Sequence, residues 1–247
     1  LEDRKLTVRS VERALDILLC FTRNDDLGLT EIAVQIGLHK STVHRLLSTL
    51  EERGFVIRDA ATEKYRLGMK IWELSTHLSR SDDPAILLLP AMERVRDHLG
   101  ETVSLYLREG KERLRIQAVQ SNQAIRRVAQ VGARLPLYVG ASSKVLVAFA
   151  STEEQEALLN DPEWPSWIDR VSYMEQLYEI RECGYAMSFE EREPGAAAIS
   201  VPIANCHGVV TAALSVSGPV NRLSIDTLYE YAPYLMEAAH DMGLMIQ

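Results

Sequence analysis

Cysteine is scarce in this chain and scattered. Cys20, Cys183 and Cys206 form no CxxC pair and stand at no metal-ligand spacing with histidine. An odd, sparse set of thiols excludes a disulfide framework and suits a reducing compartment. Long hydrophobic runs are also missing: the densest, Ala85 to Met92, is interrupted by Pro90 and is far below spanning length. No basic-then-apolar leader is visible, so a cytoplasmic protein with no membrane partner is expected. HExxH, GxGxxG and the serine elbow GxSxG do not occur, and scattered Ser, His and Glu residues such as His207, His240 and Glu190-Glu191 are ordinary for this length. Neither catalytic residues, nor metal ligands, nor a cofactor are expected.

Negative charge is absent from one place where it would be normal. The 247 residues carry 35 acids against 27 bases, a net charge of −8. Residues 1–66 are balanced at 11 against 11, so the whole excess lies beyond them. Inside that neutral head, Ile32 to Leu50 holds no acid at all, while His39, Lys40, His44 and Arg45 alternate with Ser41, Thr42, Ser48 and Thr49. A solvated helix in an acidic protein normally mixes signs. One that withholds negative charge and offers small hydroxyls suits a phosphate-lined groove. The acidic remainder keeps the chain soluble and off random DNA.

What is present around that window has helical periodicity. Ser10 is a plausible N-cap for SVERALDILLCF, in which Val11, Leu15, Leu18 and Leu19 share one face. Thr30 is expected to cap a second helix with Ile32, Ala33 and Ile36 inward, and Gly37 to supply a tight turn. A third helix from about Lys40 to Arg53 buries Val43, Leu46, Leu47 and Leu50, and Gly54 ends it. Phe55-Val56-Ile57, a turn at about Asp59–Thr62, and Lys64 to Leu67 make a hairpin. Two helices about a glycine turn followed by a hairpin predict a winged helix–turn–helix.

In such a device the N-terminal part of the recognition helix lies nearest the base edges, which selects Lys40, Ser41, Thr42 and Arg45, with Thr49 beside them. Arg45 is able to grip a guanine with two bonds. Thr30 at a helix N-terminus, and Lys64 and Arg66 on the hairpin, are expected to hold phosphates. For His44, between the outward and buried faces, base reading, packing and backbone contact all remain open.

Met69, Trp72, Leu74 and Leu78 then form one face of a linker helix over about Gly68 to Ser79, and Asp83-Pro84 opens a further helix, Ala85 to His98, ended by Gly100. Beyond residue 100 the period falls to two. Thr102–Leu107, Leu114–Val119, Ala198–Ile203 and Val209–Ser217 read as strands. Ala141–Ala150, Thr152–Leu159, Tyr173–Cys183 and Ser224–Met245 read as helices. The expected class is α+β, with an antiparallel or mixed sheet flanked by helices. Boundaries fall at 1–67 for the head, 68–83 for the linker and 84–247 for the larger domain. Within that domain, Gly140-Ala141-Ser142-Ser143 leads into a helix expected to begin near Lys144, a natural seat for an anion. Ser215 and Ser217, two apart on one strand, face the same side.

The blocks SVERALDIL, LTEIA, GLHKSTVHRLLSTLEERGFV, YRLGMKIWEL, GETVSL, VGARLPLY, RECGYAMSFEE, PGAAAISVPI and ALSVSGPVNRLS resemble, in order and spacing, those of the IclR family of bacterial transcriptional regulators. The resemblance covers essentially the whole chain. It implies a winged helix–turn–helix head, a linker helix and a C-terminal effector-binding domain of GAF-like shape. It further implies that Ala141, Ser142, Ser143, Ser188, Ala198, Ser215 and Ser217 form an effector site. Ile125 and Val128, before the Gly132 turn, are expected to add apolar cover to it. His39 departs from a common proline, Ser188 from a frequent aspartate and Ala198 from a frequent cysteine. Loss of that negative charge points to a small carboxylate with an apolar or aromatic body, rather than a very polar ketoacid. The function expected is a ligand-responsive repressor or activator, homodimeric or a homotetrameric dimer of dimers, reading a pseudo-palindromic double-stranded DNA operator. Two other classes compete: an enzyme with an accessory winged head, and an adaptor that uses the head against another protein.

Overall fold

The computed structural model describes residues 8–22, 24–75 and 83–246. The chain divides into two compact units, Leu1–Arg80 and Ser81–Gln247.

In the first unit, α1 (Arg9–Cys20), α2 (Leu29–Gln35) and α3 (Lys40–Glu52) pack around Ile17, Ile32, Val43 and Leu47, all fully buried. Strands β1 (Val56–Arg58) and β2 (Tyr65–Leu67) form an antiparallel hairpin, tied to the helices by a bridge in which Leu27 and Tyr65 exchange both backbone bonds at 2.9 and 2.8 Å. Gly37 and Gly54 take positive φ directly after α2 and α3, where the chain must reverse. Gly68 is required for a different reason: a Cβ there would lie 2.2 Å from the Gly54 carbonyl oxygen. Helix α4 (Met69–Ser75) follows; the expected linker beyond Ser75, including Leu78, lies outside the described residues.

The first helix departs from its sequence reading. Ser10 stands inside α1 and Val8 takes the cap position, with no side-chain bond to the helix end. Of the face expected inward, Val11, Leu15 and Leu19 are exposed and Leu18 is partly buried. Ile17 turns to the core instead, because Ala14, Leu18 and Phe21 flank it on the side that meets α3. Both arcs of this helix are apolar, so periodicity alone could not select the inner one.

The second unit is a six-stranded sheet in the order β5-β4-β3-β8-β7-β6, antiparallel throughout. Its strands are β3 (Thr102–Glu109), β4 (Glu112–Val119), β5 (Arg134–Pro136), β6 (Ala186–Phe189), β7 (Ala196–Ala204) and β8 (Val210–Pro219). One face, carrying Val103, Leu105, Ile199, Val201, Leu214 and Val216, packs on α6 (Leu89–Leu99) and α10 (Ile225–Gly243). The opposite face meets α7 (Ala141–Ala148) and, behind it, α8 (Thr152–Leu159) and α9 (Arg170–Cys183). The helix expected over Ala85–His98 is interrupted at Leu88, leaving α5 (Pro84–Leu87) as a separate turn before α6, whose first turn holds Pro90. Asp83 caps α5 through Ala85 N–H at 2.9 Å.

Candidate nucleic-acid interface and ligand cavity

Burial of Val43, Leu47 and Leu50 fixes the rotation of α3 and turns Lys40, Ser41, His44, Arg45, Ser48 and Thr49 to solvent. Thr42 is half-buried at the edge. The side chains of Lys40, His44 and Arg45 have no ion-pair or hydrogen-bond partner among the described residues, so their donors are available. His44 is exposed beside Arg45 rather than packed. The hydroxyls are less free. Ser48 donates to the His44 carbonyl at 2.9 Å and Thr49 to the Arg45 carbonyl at 3.1 Å. Each hydroxyl has one hydrogen, so neither remains a donor to phosphate while so bonded. His39 occupies the cap position of α3 and its ring lies 3.1 Å from the Ser41 hydroxyl; the helix begins at Lys40 without the proline.

Two positions around the helix differ from expectation. Thr30 is not the cap of α2. Gly28 takes that position, and its N–H donates to Glu31 at 2.6 Å. Thr30 is exposed in the first turn, beside a carboxylate that already answers the positive helix end. On the hairpin, Lys64 is paired with Asp26 at 2.7 Å, which holds its ammonium pKa above the usual lysine value, mainly through that hydrogen bond. Arg66 is exposed, near Asp59 but in no ion pair among the described residues. The hairpin turn is closed by Asp59, which accepts from the Ala61 and Thr62 N–H groups at 2.9 and 2.8 Å; those bonds hold its carboxyl below the ordinary aspartate range.

In the second unit, register assembles the cavity. Ser188, Ala198 and Ser217 are cross-strand neighbours in one row over β6, β7 and β8, and Thr102 continues the row on β3. Ser215 lies one pair further along the same face, opposite Ser200 and Ser104. Against this face stands the N-terminus of α7, which begins at Ala141 as the Ala141–Ala150 reading has it, so Ser142 and Ser143 lie in its first turn. The result is a small cavity of about 50 Å³, lined among others by Gly140, Ala141, Ser142, Ser188, Ala198, Ser215 and Ser217.

Three sequence-selected residues are not part of that wall. Ser143 is fully buried behind it, its hydroxyl spent on the Val139 and Gly140 carbonyls at 2.5 and 2.6 Å. Ile125 and Val128 are 73% and 71% exposed and do not cover the cavity. Arg127, between them, lines it instead. The helix end is also less open than expected: Gly140 N–H donates to Glu191 at 3.0 Å, and the same carboxylate pairs with the buried Lys144 at 2.6 Å. Ser215 accepts from Ser200 at 2.8 Å and donates to the Ile199 carbonyl at 3.3 Å, which leaves Ser142, Ser188 and Ser217 as the lining serine hydroxyls with no hydrogen-bond partner among the described residues.

The lining residues that sequence reasoning missed are Ala196, Ala197, Tyr106 and the charged ones, with Arg115 packed behind the wall. Arg113 and Arg115, on β4, flank the Tyr106 ring with guanidinium carbons 5.4 and 5.1 Å from its centroid. Arg115 donates to the Tyr106 hydroxyl from Nε at 3.0 Å and Nη2 at 2.6 Å. Burial pushes Arg113 down to about 10, still protonated at neutral pH. Arg127 and Arg192 both pair with Glu193, at 2.6 and 2.7 Å. In ERLRIQAV the arginines alternate with Leu114 and Ile116, the pattern of a strand with one wet face. They are buried because the segment after β4 folds back over them, bringing the Gln130, Pro136 and Val139 carbonyls to their guanidinium groups.

Comparison with known proteins agrees with this architecture. The family models that match are the IclR helix-turn-helix domain over residues 10–60 and the bacterial transcriptional regulator IclR C-terminal domain over residues 80–244. The chain is similar to the HTH-type transcriptional regulator XynR of Escherichia coli K12, 33% identical over 237 residues that cover 94% of each chain. Among solved structures it resembles an IclR transcriptional regulator from Alicyclobacillus acidocaldarius, with TM-score 0.84, 28% identity and coverage of 98% and 100%. It also resembles an IclR homolog from Microbacterium hydrocarbonoxydans complexed with 4-hydroxybenzoate, with TM-score 0.84, 28% identity and coverage of 96% and 98%. These relatives are regulators, not enzymes. From its helix–turn–helix head to its covered antiparallel sheet, the chain belongs to the IclR family of bacterial transcriptional regulators.

Proposed function

We propose that this DNA-binding regulator reads a pseudo-palindromic operator with α3 from each of two heads, and that a small organic acid in the sheet–α7 cavity shifts its DNA affinity. The observation that carries the DNA half is the outward face of α3, where Lys40, His44 and Arg45 are exposed, unpaired and unopposed by any acid. Lys40, Ser41, Thr42 and Arg45 are the base-reading set, and Arg66 a phosphate contact. The gathering of Ser188, Ala198 and Ser217 in one register row opposite Gly140–Ser142 supports the effector half. Its alanine-rich wall favours an apolar or aromatic body over a polar ketoacid, and a relative binds 4-hydroxybenzoate.

Two copies, or a dimer of dimers, are needed for two half-sites. The exposed Met69, Trp72 and Leu74 of α4, and Val11, Leu15 and Leu19 of α1, offer apolar surface for that association. Residues 68–83 serve as the linker between a cytoplasmic reader and its sensor. An effector acts only through its different affinity for the two arrangements of the heads, and the operator in turn changes effector affinity by the same factor.

The test is anisotropy titration of the full chain with a duplex selected from a random pool, with and without aromatic and aliphatic acids, across salt. Arg66 on phosphate in each of two heads would alone contribute about −2 to the slope of log K against log salt, so that raising salt from 50 to 200 mM weakens binding by about tenfold or more. A complex that is insensitive to salt, or to duplex sequence, would sink the DNA reading in favour of a protein-contact head.

A further inference from the structure

Arg113 enters the cavity from β4 with 3% of its surface exposed. It lies among other cations, but those are answered by carboxylates: Arg127 and Arg192 by Glu193, Lys144 by Glu191. None of the described ion pairs includes Arg113 or Arg115. Nη1 of Arg113 donates to the Pro136 and Val139 carbonyls at 2.9 and 2.8 Å. Its Nε is buried with no hydrogen-bond partner. Carbonyls satisfy N–H groups without supplying net negative charge. Arg115, 4% exposed and bonded to the Tyr106 hydroxyl, is a second buried cation that raises the local potential further.

Burying an uncompensated charge is expensive, and buried guanidinium groups are ordinarily matched by carboxylates or phosphates. Here the backbone has been shaped around the group. Gly140, at φ +91°, approaches so closely that a Cβ would lie 3.2 Å from Arg113 Nη2. That brings the guanidinium edge to the first turn of α7, beside the unpartnered Ser142 hydroxyl on the same cavity wall. Glu191 does not serve as the missing counter-charge, because its two oxygens are taken by Gly140 N–H and Lys144.

We propose that Arg113 is the specificity residue of this cavity: it reads a carboxylate or similar oxyanion on the ligand and so admits acids while refusing their neutral isosteres. The proposal rests on the effector reading above. It assigns recognition of charge to one side chain and leaves the serine row and alanine wall to shape the body of the ligand.

Calorimetric titration of the full chain with matched pairs tests it: benzoate and benzamide, 4-hydroxybenzoate and 4-hydroxybenzamide, acetate and acetamide. The wild type is expected to bind at least one acid about 100-fold tighter than its amide, the penalty of leaving a buried charge pair half-made. Arg113→Met should bring that ratio near one while operator binding persists. Arg113→Lys, which keeps the charge and loses the fork, should retain about a tenfold preference. If Arg113 were only structural, its variants would weaken acid and amide alike and keep the ratio. That result overturns the proposal, as does a wild type that binds amides as well as acids or binds no acid in the panel. The operator titration is independent of these outcomes, so the regulator reading stands or falls separately.

Discussion

Both units hold cations that no carboxylate answers, and they hold them in opposite ways. In the head, Lys40, Arg45 and Arg66 project into water, where an unpaired charge is stabilised by hydration and stays ready for phosphate. In the larger unit, Arg113 and Arg115 are nearly inaccessible, bonded to the Gln130, Pro136 and Val139 carbonyls of the segment after β4, and hydration is denied them. A long polyanion must reach its contacts from outside, so its readers can be exposed and cheap to keep. A small anion can be surrounded, so its reader is buried and fixed beforehand by neighbours such as Pro136, Val139 and Tyr106.

Stability offers the widest test of how separate the two units are. Each contains a glycine set so close to backbone that no side chain fits. A Cβ on Gly68 would lie 2.2 Å from the Gly54 oxygen in the head, and one on Gly243 would lie 2.0 Å from the Ala204 oxygen in the larger unit. Because the obstructing atoms are backbone, alanine at either place requires a shift of the main chain, at a cost of about 3 kcal/mol or more. Calorimetry of Gly68→Ala should show only the head's transition lowered, and Gly243→Ala only that of the larger unit. Either variant lowering both transitions equally would show that the units unfold as one.

The next effect in size belongs to the exposed side of the comparison. Arg45→Ala should cost about 1–3 kcal/mol of operator affinity and relax preference at one position in each half-site. Lys40→Ala, if Lys40 meets phosphate rather than a base, should weaken all duplexes alike and flatten the salt slope by about 0.9 for each head. Selection from a random pool followed by anisotropy separates these outcomes. Unchanged affinity and selectivity in Arg45→Ala would remove α3 from the groove.

Much of the architecture was legible because local signals agree with the fold. Thr152–Leu159 begins and ends as its capping pattern indicates, with Ser151 and Glu154 bonded reciprocally. Gly54, Gly100 and Gly184 stop helices by adopting positive φ. The serine row was legible only through the family resemblance, since the pairing of Ser188 with Ala198 and Ser217 is a matter of register between distant segments. The misplacements share one cause. Val11 and Leu15 were read as inward, and Ile125 and Val128 as cover, because apolar residues were assigned to the interior. Arg113 was passed over because a charged residue was assigned to solvent. Hydropathy registers a preference averaged over many proteins. An exposed apolar helix face and a buried guanidinium group are where that average fails.

The finest test concerns Lys64, a cation that belongs to neither extreme. It is partly exposed, as the head's readers are, yet paired with Asp26 as most cations around the cavity are paired. Asp26→Asn removes the carboxylate and keeps the shape. Lys64 has its pKa raised by that partner, so its charge is present throughout the neutral range with or without Asp26, and the variant changes availability rather than protonation. A freed ammonium able to reach phosphate should steepen the salt slope by about 0.9 for each head and raise low-salt affinity a few-fold. The pair is exposed and contributes little to folding, so the melting of the head should hardly move. An unchanged slope would show that the hairpin presents Lys64 away from the duplex and that Arg66 alone serves there.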